Sequence, residues 1–187
     1  MGNDPTDLTL HRTVVLVGMM GSGKTAIGRE LADRLGVNFL DSDAALEEAA
    51  ALTISEIFAR DGEAFFRDRE VEVIERLMSG PPAILSTGGG AFLSERTRAV
   101  IAEKGVAVWL DADLPTLWER VRHKDTRPLL RTADPHATLS ALMEARGPIY
   151  AKAGVHVAVG PTASIAETTQ SVLDALIKNP SILEQST

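Results

Sequence analysis

Eight residues constrain this chain more than any others: Gly18-Met19-Met20-Gly21-Ser22-Gly23-Lys24-Thr25. They match G-x-x-x-x-G-K-[ST], a phosphate-binding loop pattern. Val14-Val15-Leu16-Val17 precedes them, a short β-branched apolar run that reads as a buried strand. Ala26 to Leu35 follows, with Ile27, Leu31 and Leu35 at the spacing of one helical face. Strand, glycine turn and helix are the context the pattern requires. Glycines let the backbone turn tightly and aim successive N–H groups inward. The helix N-terminus adds partial positive charge where phosphates sit. Lys24 then reaches the β and γ phosphates, and the Thr25 hydroxyl is placed for Mg²⁺. The alternative is a glycine-rich turn with an exposed lysine, and the correct flanks make it the weaker reading. The chain is expected to bind a nucleoside triphosphate.

Composition limits what else it does. The 187 residues suffice for one α/β domain with a sizeable core. Aromatic residues make up only 4%, too few for a nucleic-acid stacking platform. A net charge of −7 argues against nucleic-acid or membrane-surface partners, so ATP must meet a local basic cluster. No cysteine is present, which excludes disulfides, thiolate metal sites and thiol nucleophiles, and suits the cytoplasm. His11, His123, His136 and His156 are scattered without ligand spacing. No apolar run approaches a membrane span, and the polar start has no secretory signal.

In order along the chain, residues 1–12 read as a disordered arm. A second strand, Val37 to Leu40, runs into Asp41-Ser42-Asp43. In an extended segment those two carboxylates share one face, roughly 7 Å apart. One acid can hold Mg²⁺ through water, and the other can accept a hydroxyl proton or hold the hydroxyl in place. The alternative is that Asp43 merely caps a helix from Ala44 to Ala51. Thr53-Ile54-Ser55-Glu56 has the capping-box pattern. A longer helix from Asp61 to about Met78 puts Glu63, Arg67 and Glu70 on one face. A solvated ladder is the bland reading, whereas an arginine oriented by an acid makes a fork for a carboxylate or phosphate.

Ala83 to Ser86 is a third strand, ending in Thr87-Gly88-Gly89-Gly90, where close backbone approach by a ligand or another segment is expected. Ser94 caps a helix to about Glu103, and Val106 to Leu110 forms a fourth strand. Leu114 to Val121 is helical. Arg122 to Arg131 is basic in an acidic chain and reads as a lid whose arginines neutralise a transferring phosphoryl group, against the alternative of a solvated loop. A helix from His136 to about Arg146 is expected to stop at Gly147-Pro148. Val155 to Val159 is a fifth strand, Ala163 to Ile177 a last helix, and a tail follows Pro180. Five strands alternating with helices imply a parallel sheet covered on both faces.

The phosphate loop, Asp41-Ser42-Asp43, Phe66-Arg67-x-x-Glu70, Gly88-Gly89-Gly90, Arg127-Pro128-Leu129-Leu130 and Arg146-x-Pro148-x-Tyr150 occur in one order. That set resembles shikimate kinase over about residues 13–177. The resemblance implies an α/β three-layer sandwich, a P-loop NTPase fold related to nucleoside monophosphate kinases. Its five-stranded parallel sheet would have the order 2-3-1-4-5. It implies one domain over 13–178, a lid at about 120–135 and a tail over 179–187. It implies phosphorylation of the 3-hydroxyl of shikimate by ATP, with Mg²⁺, in chorismate and aromatic amino acid biosynthesis. Residue by residue, Gly21, Ser22, Gly23, Lys24, Thr25 and Ala26 would hold ATP. Thr25 and Asp41 would be the Mg²⁺ pair. Asp43 would meet the shikimate hydroxyls as base or anchor. Arg67 and Arg146 would clamp the carboxylate, Glu70 would orient Arg67, and Gly88, Gly89 and Gly90 would close the other side. Lys24 and Arg127 would face the transferring phosphate. The expected partners are ATP and shikimate, on a cytoplasmic monomer.

Two rivals remain on sequence. A gluconate or nucleotide kinase would share the phosphate loop and basic lid but does not require the acid pair, FRxxE and triple glycine together. A non-catalytic ATP-binding module would be expected to have lost one of Lys24, Asp43, Arg67 or Arg127.

Overall fold

The computed structural model describes residues 8–124 and 128–186. Its centre is β2 (Thr13–Val17), the buried run that leads into the phosphate loop. Every residue of β2 is buried, because β4 (Ile84–Ser86) pairs with one edge and β5 (Gly105–Ala112) with the other, both parallel. Outside these lie β3 (Phe39–Asp41) and β6 (Val155–Val159), also parallel. The order β3-β4-β2-β5-β6 is the expected 2-3-1-4-5, counted from Thr13. Helices flank the sheet to complete three layers, with α1 (Lys24–Leu35) packed against α7 (Ile165–Ile177), and α3 (Ile54–Leu77) against α4 (Glu95–Lys104).

The register brings the site to one edge of the sheet. Leu16 pairs with Ser86, and Ser86 with Asp41, so β2, β3 and β4 release their C-terminal ends side by side. Ligands of open parallel sheets bind outside those ends.

Two expectations are revised. The arm and the tail are not loose where described, since β1 (Leu8–Leu10) pairs antiparallel with β7 (Leu183–Gln185). Leu10, Ile182 and Leu183 are buried in the core, which accounts for the ordering of both segments. Residues 1–7 and Thr187 lie outside the described residues. Gly147-Pro148 also does not end its helix, because α6 runs Pro135–Tyr150. A proline in the last turn costs little more than one backbone bond, and Tyr150 is pulled into the core. Between the helices, α5 (Leu114–Val121) ends where expected.

Candidate active site

The phosphate loop leaves β2 at Gly18, which has φ of +144°. A Cβ there would lie 2.7 Å from the Leu110 carbonyl oxygen of the neighbouring strand, so only glycine allows the turn. Gly23 takes the N-cap position of α1 in the left-handed region, φ 98°, and supplies no side-chain cap. The first N–H groups of α1 therefore stay available to an anion, aligned with the helix dipole. Lys24 Nζ donates to the Gly18 and Met19 carbonyls at 2.9 and 3.0 Å, holding the ammonium over the loop. Gly21, Gly23, Lys24, Thr25 and Ala26 all line one cleft of about 530 Å³. Ser22 is buried inside the loop rather than lining the cleft.

Asp41 and Asp43 line the same cleft but not as an extended pair. Asp41 ends β3 and becomes the N-cap of α2 (Ser42–Ala50). Its Oδ1 accepts from the Asp43 and Ala44 N–H groups at 3.0 and 3.1 Å. Asp41 is thus the cap, and Asp43 sits within the first turn, aimed at Gly88. The chain bends between them because four orphan N–H groups begin a helix there and the nearest carboxylate takes two. Burial raises the Asp43 carboxyl pKa, helped by the Asp41 charge, while Lys24 and Arg67 pull it down.

Thr25 and Asp41 offer a hydroxyl and a carboxylate to one cavity. Among the described residues no group of three or more His, Cys, Asp or Glu could hold a metal. Few protein ligands, all oxygen, fit a hard divalent cation that keeps waters and phosphate oxygens in its shell. The residues present therefore suit a hard divalent cation.

The triple glycine brings the predicted substrate groups together. A Cβ on Gly88 would stand 2.7 Å from Asp43 Oδ1, one on Gly89 3.6 Å from Arg146 Nη1, and one on Gly90 2.5 Å from Arg67 Nη2. One carboxylate and two guanidinia thus crowd against bare backbone. Arg67 is set by Glu70 at 2.8 Å, with Glu63 at 3.7 Å, the face expected from their spacing. Glu70 is buried, which raises its pKa, and the hydrogen bond from Arg67 opposes that rise.

Sequence reasoning left three contributors unassigned. Arg120 donates to the Gly21 carbonyl at 3.0 Å and lines the cleft, whereas Arg122 turns to Glu119. Tyr150 donates its hydroxyl to the Gly89 carbonyl at 2.6 Å, beside a longer contact of 3.4 Å from Arg146. Ser164 and Ile165, at the start of α7, form the far wall of the cleft, with Ile165 half exposed. The Ser164-x-x-Glu167 capping box was the readable mark of that wall. Arg127, the expected lid arginine, lies outside the described residues.

Comparison with known proteins follows the same lines. The shikimate kinase family model matches residues 20–177. A shikimate kinase of Ruegeria pomeroyi is 63% identical over 177 residues, 95% of this chain and 91% of the relative. One from Caulobacter vibrioides is 52% identical over 165 residues, 88% of this chain and 82% of the relative. The solved shikimate kinase from Acinetobacter baumannii in complex with shikimate has a TM-score of 0.84 and 34% identity, over 90% of this chain and 94% of that one. A gluconokinase from Sinorhizobium meliloti, at TM-score 0.58 and 18% identity, shares the fold alone.

Proposed function

The chain belongs to the shikimate kinase family, and from that premise we propose that it transfers the γ-phosphate of ATP to the 3-hydroxyl of shikimate, yielding shikimate 3-phosphate and ADP. The observation that carries this reading is the convergence of Asp43, Arg67 and Arg146 on Gly88, Gly89 and Gly90. Asp43, Gly88 and Gly89 line the phosphate-loop cleft, and Arg67, Arg146 and Gly90 stand beside it. A small ring bearing a carboxylate and hydroxyls matches that arrangement. Arg67 and Arg146 take the carboxylate, a fork geometry that fixes the ring's orientation. Bare backbone at Gly88 and Gly90 leaves Asp43 and Arg67 the room that a Cβ would take, and so leaves both free to meet the ring.

With the ring held so, its hydroxyl faces Asp43. The hydroxyl oxygen forms the new bond to the γ-phosphorus, its proton passes to the Asp43 carboxylate or is held by it, and the bond from phosphorus to ADP breaks. Phosphoryl transfer asks little covalent chemistry of a protein, so orientation and charge neutralisation carry most of the rate. Lys24 and the amides of the phosphate loop hold the phosphates, with Arg120 braced beside them on the Gly21 carbonyl. Arg127, which the family resemblance assigns to the transferring phosphate, lies outside the described residues. Thr25 and Asp41 would hold Mg²⁺, which, when bound, neutralises charge on the β and γ oxygens. ATP as co-substrate and the absence of cysteine suit a cytoplasmic setting, and no described helix is long and apolar enough to cross a membrane.

Product identification tests the proposal. After incubation with Mg·ATP and shikimate, phosphorus and proton magnetic resonance should show one new phosphate ester coupled to the ring proton at carbon 3. A phosphate on another hydroxyl, or none, refutes the assignment.

A further inference from the structure

The helix that presents Arg67 has a second working face. On α3, Phe65, Arg69, Glu72, Val73 and Arg76 recur at helical spacing and point away from Arg67 and Glu70. Together with α2 they border a groove of about 400 Å³ that shares no residue with the catalytic cleft. Gly62, with φ of +84°, breaks the path of α3. Ile57 and Arg60 before the kink and Phe65 and Arg69 after it therefore meet around one opening.

The groove is amphiphilic in a defined way. Its floor is apolar: Leu46, Ile57 and Val73 are buried, and Phe65 stays 40% exposed. Large hydrophobic side chains so exposed are few among the described residues, and an exposed aromatic ring beside a cavity marks a contact surface. Its rim is basic, with Arg60, Arg69 and Arg76 against Glu72 in the lining and Asp61 beside it, in a chain of net charge −7. Arg69 lies over the Phe65 ring at 5.2 Å and pairs with Glu72 at 2.8 Å, while Arg60 pairs with Asp61 at 2.7 Å. These are exposed pairs, weak enough to exchange for a ligand's anion. The Arg76 guanidinium has no hydrogen-bond or ion-pair partner among the described residues.

We propose that this groove binds a small amphiphilic anion, an aromatic or short aliphatic group carrying one carboxylate or sulfonate. Charge complementarity selects the anion and the floor selects the apolar body. The volume lies in the range of small-molecule sites and is shallow for a protein segment. The groove shares no residue with the catalytic cleft, so an occupant here leaves the nucleotide and shikimate sites free.

The probe for the test is the aryl sulfonate 1-anilinonaphthalene-8-sulfonate, titrated into the full chain with Mg·ADP and shikimate saturating the cleft. The expected result is one fluorescent site per chain. Its affinity falls at least about tenfold in Arg69→Ala/Arg76→Ala, the loss that follows from removing charge-assisted hydrogen bonds. 3-Phenylpropanoate displaces the probe and 3-phenylpropanamide does not. Arg76→Glu alone gives the same loss, which guards against a folding defect in the double variant, and retained shikimate-dependent turnover shows that both variants fold. Equal affinity in the folded variants, or equal displacement by acid and amide, overturns the proposal. So does a chain that dimerises through this face, with Phe65→Glu restoring the monomer and no anion bound.

Discussion

Glu70 lies buried at 2% exposure beneath Arg67, and its Oε2 receives Arg67 Nη1 at 2.8 Å. The acid holds the guanidinium in one place, and the guanidinium is what makes a buried carboxylate tolerable. Removing the arginine should therefore do two separable things. Arg67→Ala should raise the KM for shikimate by about a hundredfold, the cost of one lost charged clamp, with the KM for ATP nearly unchanged. It should also cost about 3 kcal/mol of stability by stranding Glu70. Without Arg67 the Glu70 pKa climbs further above its unfolded value, so stability falls as pH rises through that interval. The stability loss should thus be larger at pH 8 than at pH 5, and Glu70→Gln in the same background should recover much of it. Urea unfolding at both pH values checks this. Equal loss of both substrates would instead mean general misfolding.

Gly90 separates packing from function. Its φ of −98° suits alanine, yet a Cβ would stand 2.5 Å from Arg67 Nη2. Gly90→Ala should still fold, but the whole guanidinium must shift, since that Cβ would also stand 2.8 Å from Nη1 and 2.9 Å from Cζ. Its bond to buried Glu70 then loosens, and the melting temperature should fall by less than in Arg67→Ala. The KM for shikimate should rise about tenfold or more, since misplacing a clamp by an ångström is enough. An unchanged KM would show that Arg67 does not reach the substrate from this position.

Asp43 carries opposite consequences for turnover and stability. Burial, with the Asp41 charge, keeps its carboxyl above the ordinary value of 3.8. Turnover needs the ionised form, so it should fall on acidification through a pKa above that value. Asp43→Asn should lower turnover by about two to four powers of ten and abolish this acidic limb. The folded state holds the Asp43 proton more tightly than the unfolded chain does. Stability is accordingly lost as pH rises from 3.8 through the folded pKa, and the loss persists above it. The asparagine variant should therefore melt above the parent at pH 7. A lower melting temperature, or near-normal turnover, contradicts the assigned role.

Tyr150 acts on the glycine backbone. Its hydroxyl meets the Gly89 carbonyl at 2.6 Å, whereas Arg146 reaches the same oxygen only at 3.4 Å. Tyr150→Phe keeps the ring and should cost about 1 kcal/mol of stability. It should also raise the KM for shikimate with the KM for ATP retained, because the loop that faces the substrate loses its tether. A change in stability alone would make the hydroxyl structural.

The phosphate loop, the FRxxE helix and the triple glycine were legible because each is a local pattern with a local mechanism, and the parallel sheet followed from strands alternating with helices. What escaped the sequence depends on distant contacts. Asp41 was read as half of an extended pair because nothing local says which of two acids three residues from a helix start will take its N–H groups. Tyr150 looked like the residue after a helix stop, whereas its burial in the core and its long-range bond to Gly89 favour the continuation of α6 past Pro148. The segment past Pro180 reads only as a tail until Leu10 is placed beside Leu183. That last contact is itself testable. Leu183 is fully buried, so Leu183→Ala should cost about 2–5 kcal/mol, whereas a loose tail would lose nothing measurable.

One cleft runs from the phosphate loop to Asp43, Gly88 and Gly89, and the central claim is that Arg67, Arg146 and Gly90 beside it complete a pocket for a carboxylate and hydroxyls. The most direct measurement is ADP release from Mg·ATP, alone and with shikimate, gluconate or a nucleoside monophosphate. Strong stimulation by shikimate and by neither alternative is the predicted result. ATP binding with no stimulation by shikimate, or equal stimulation by gluconate, would contradict it, since Asp43, Arg67 and Arg146 would then serve another acceptor.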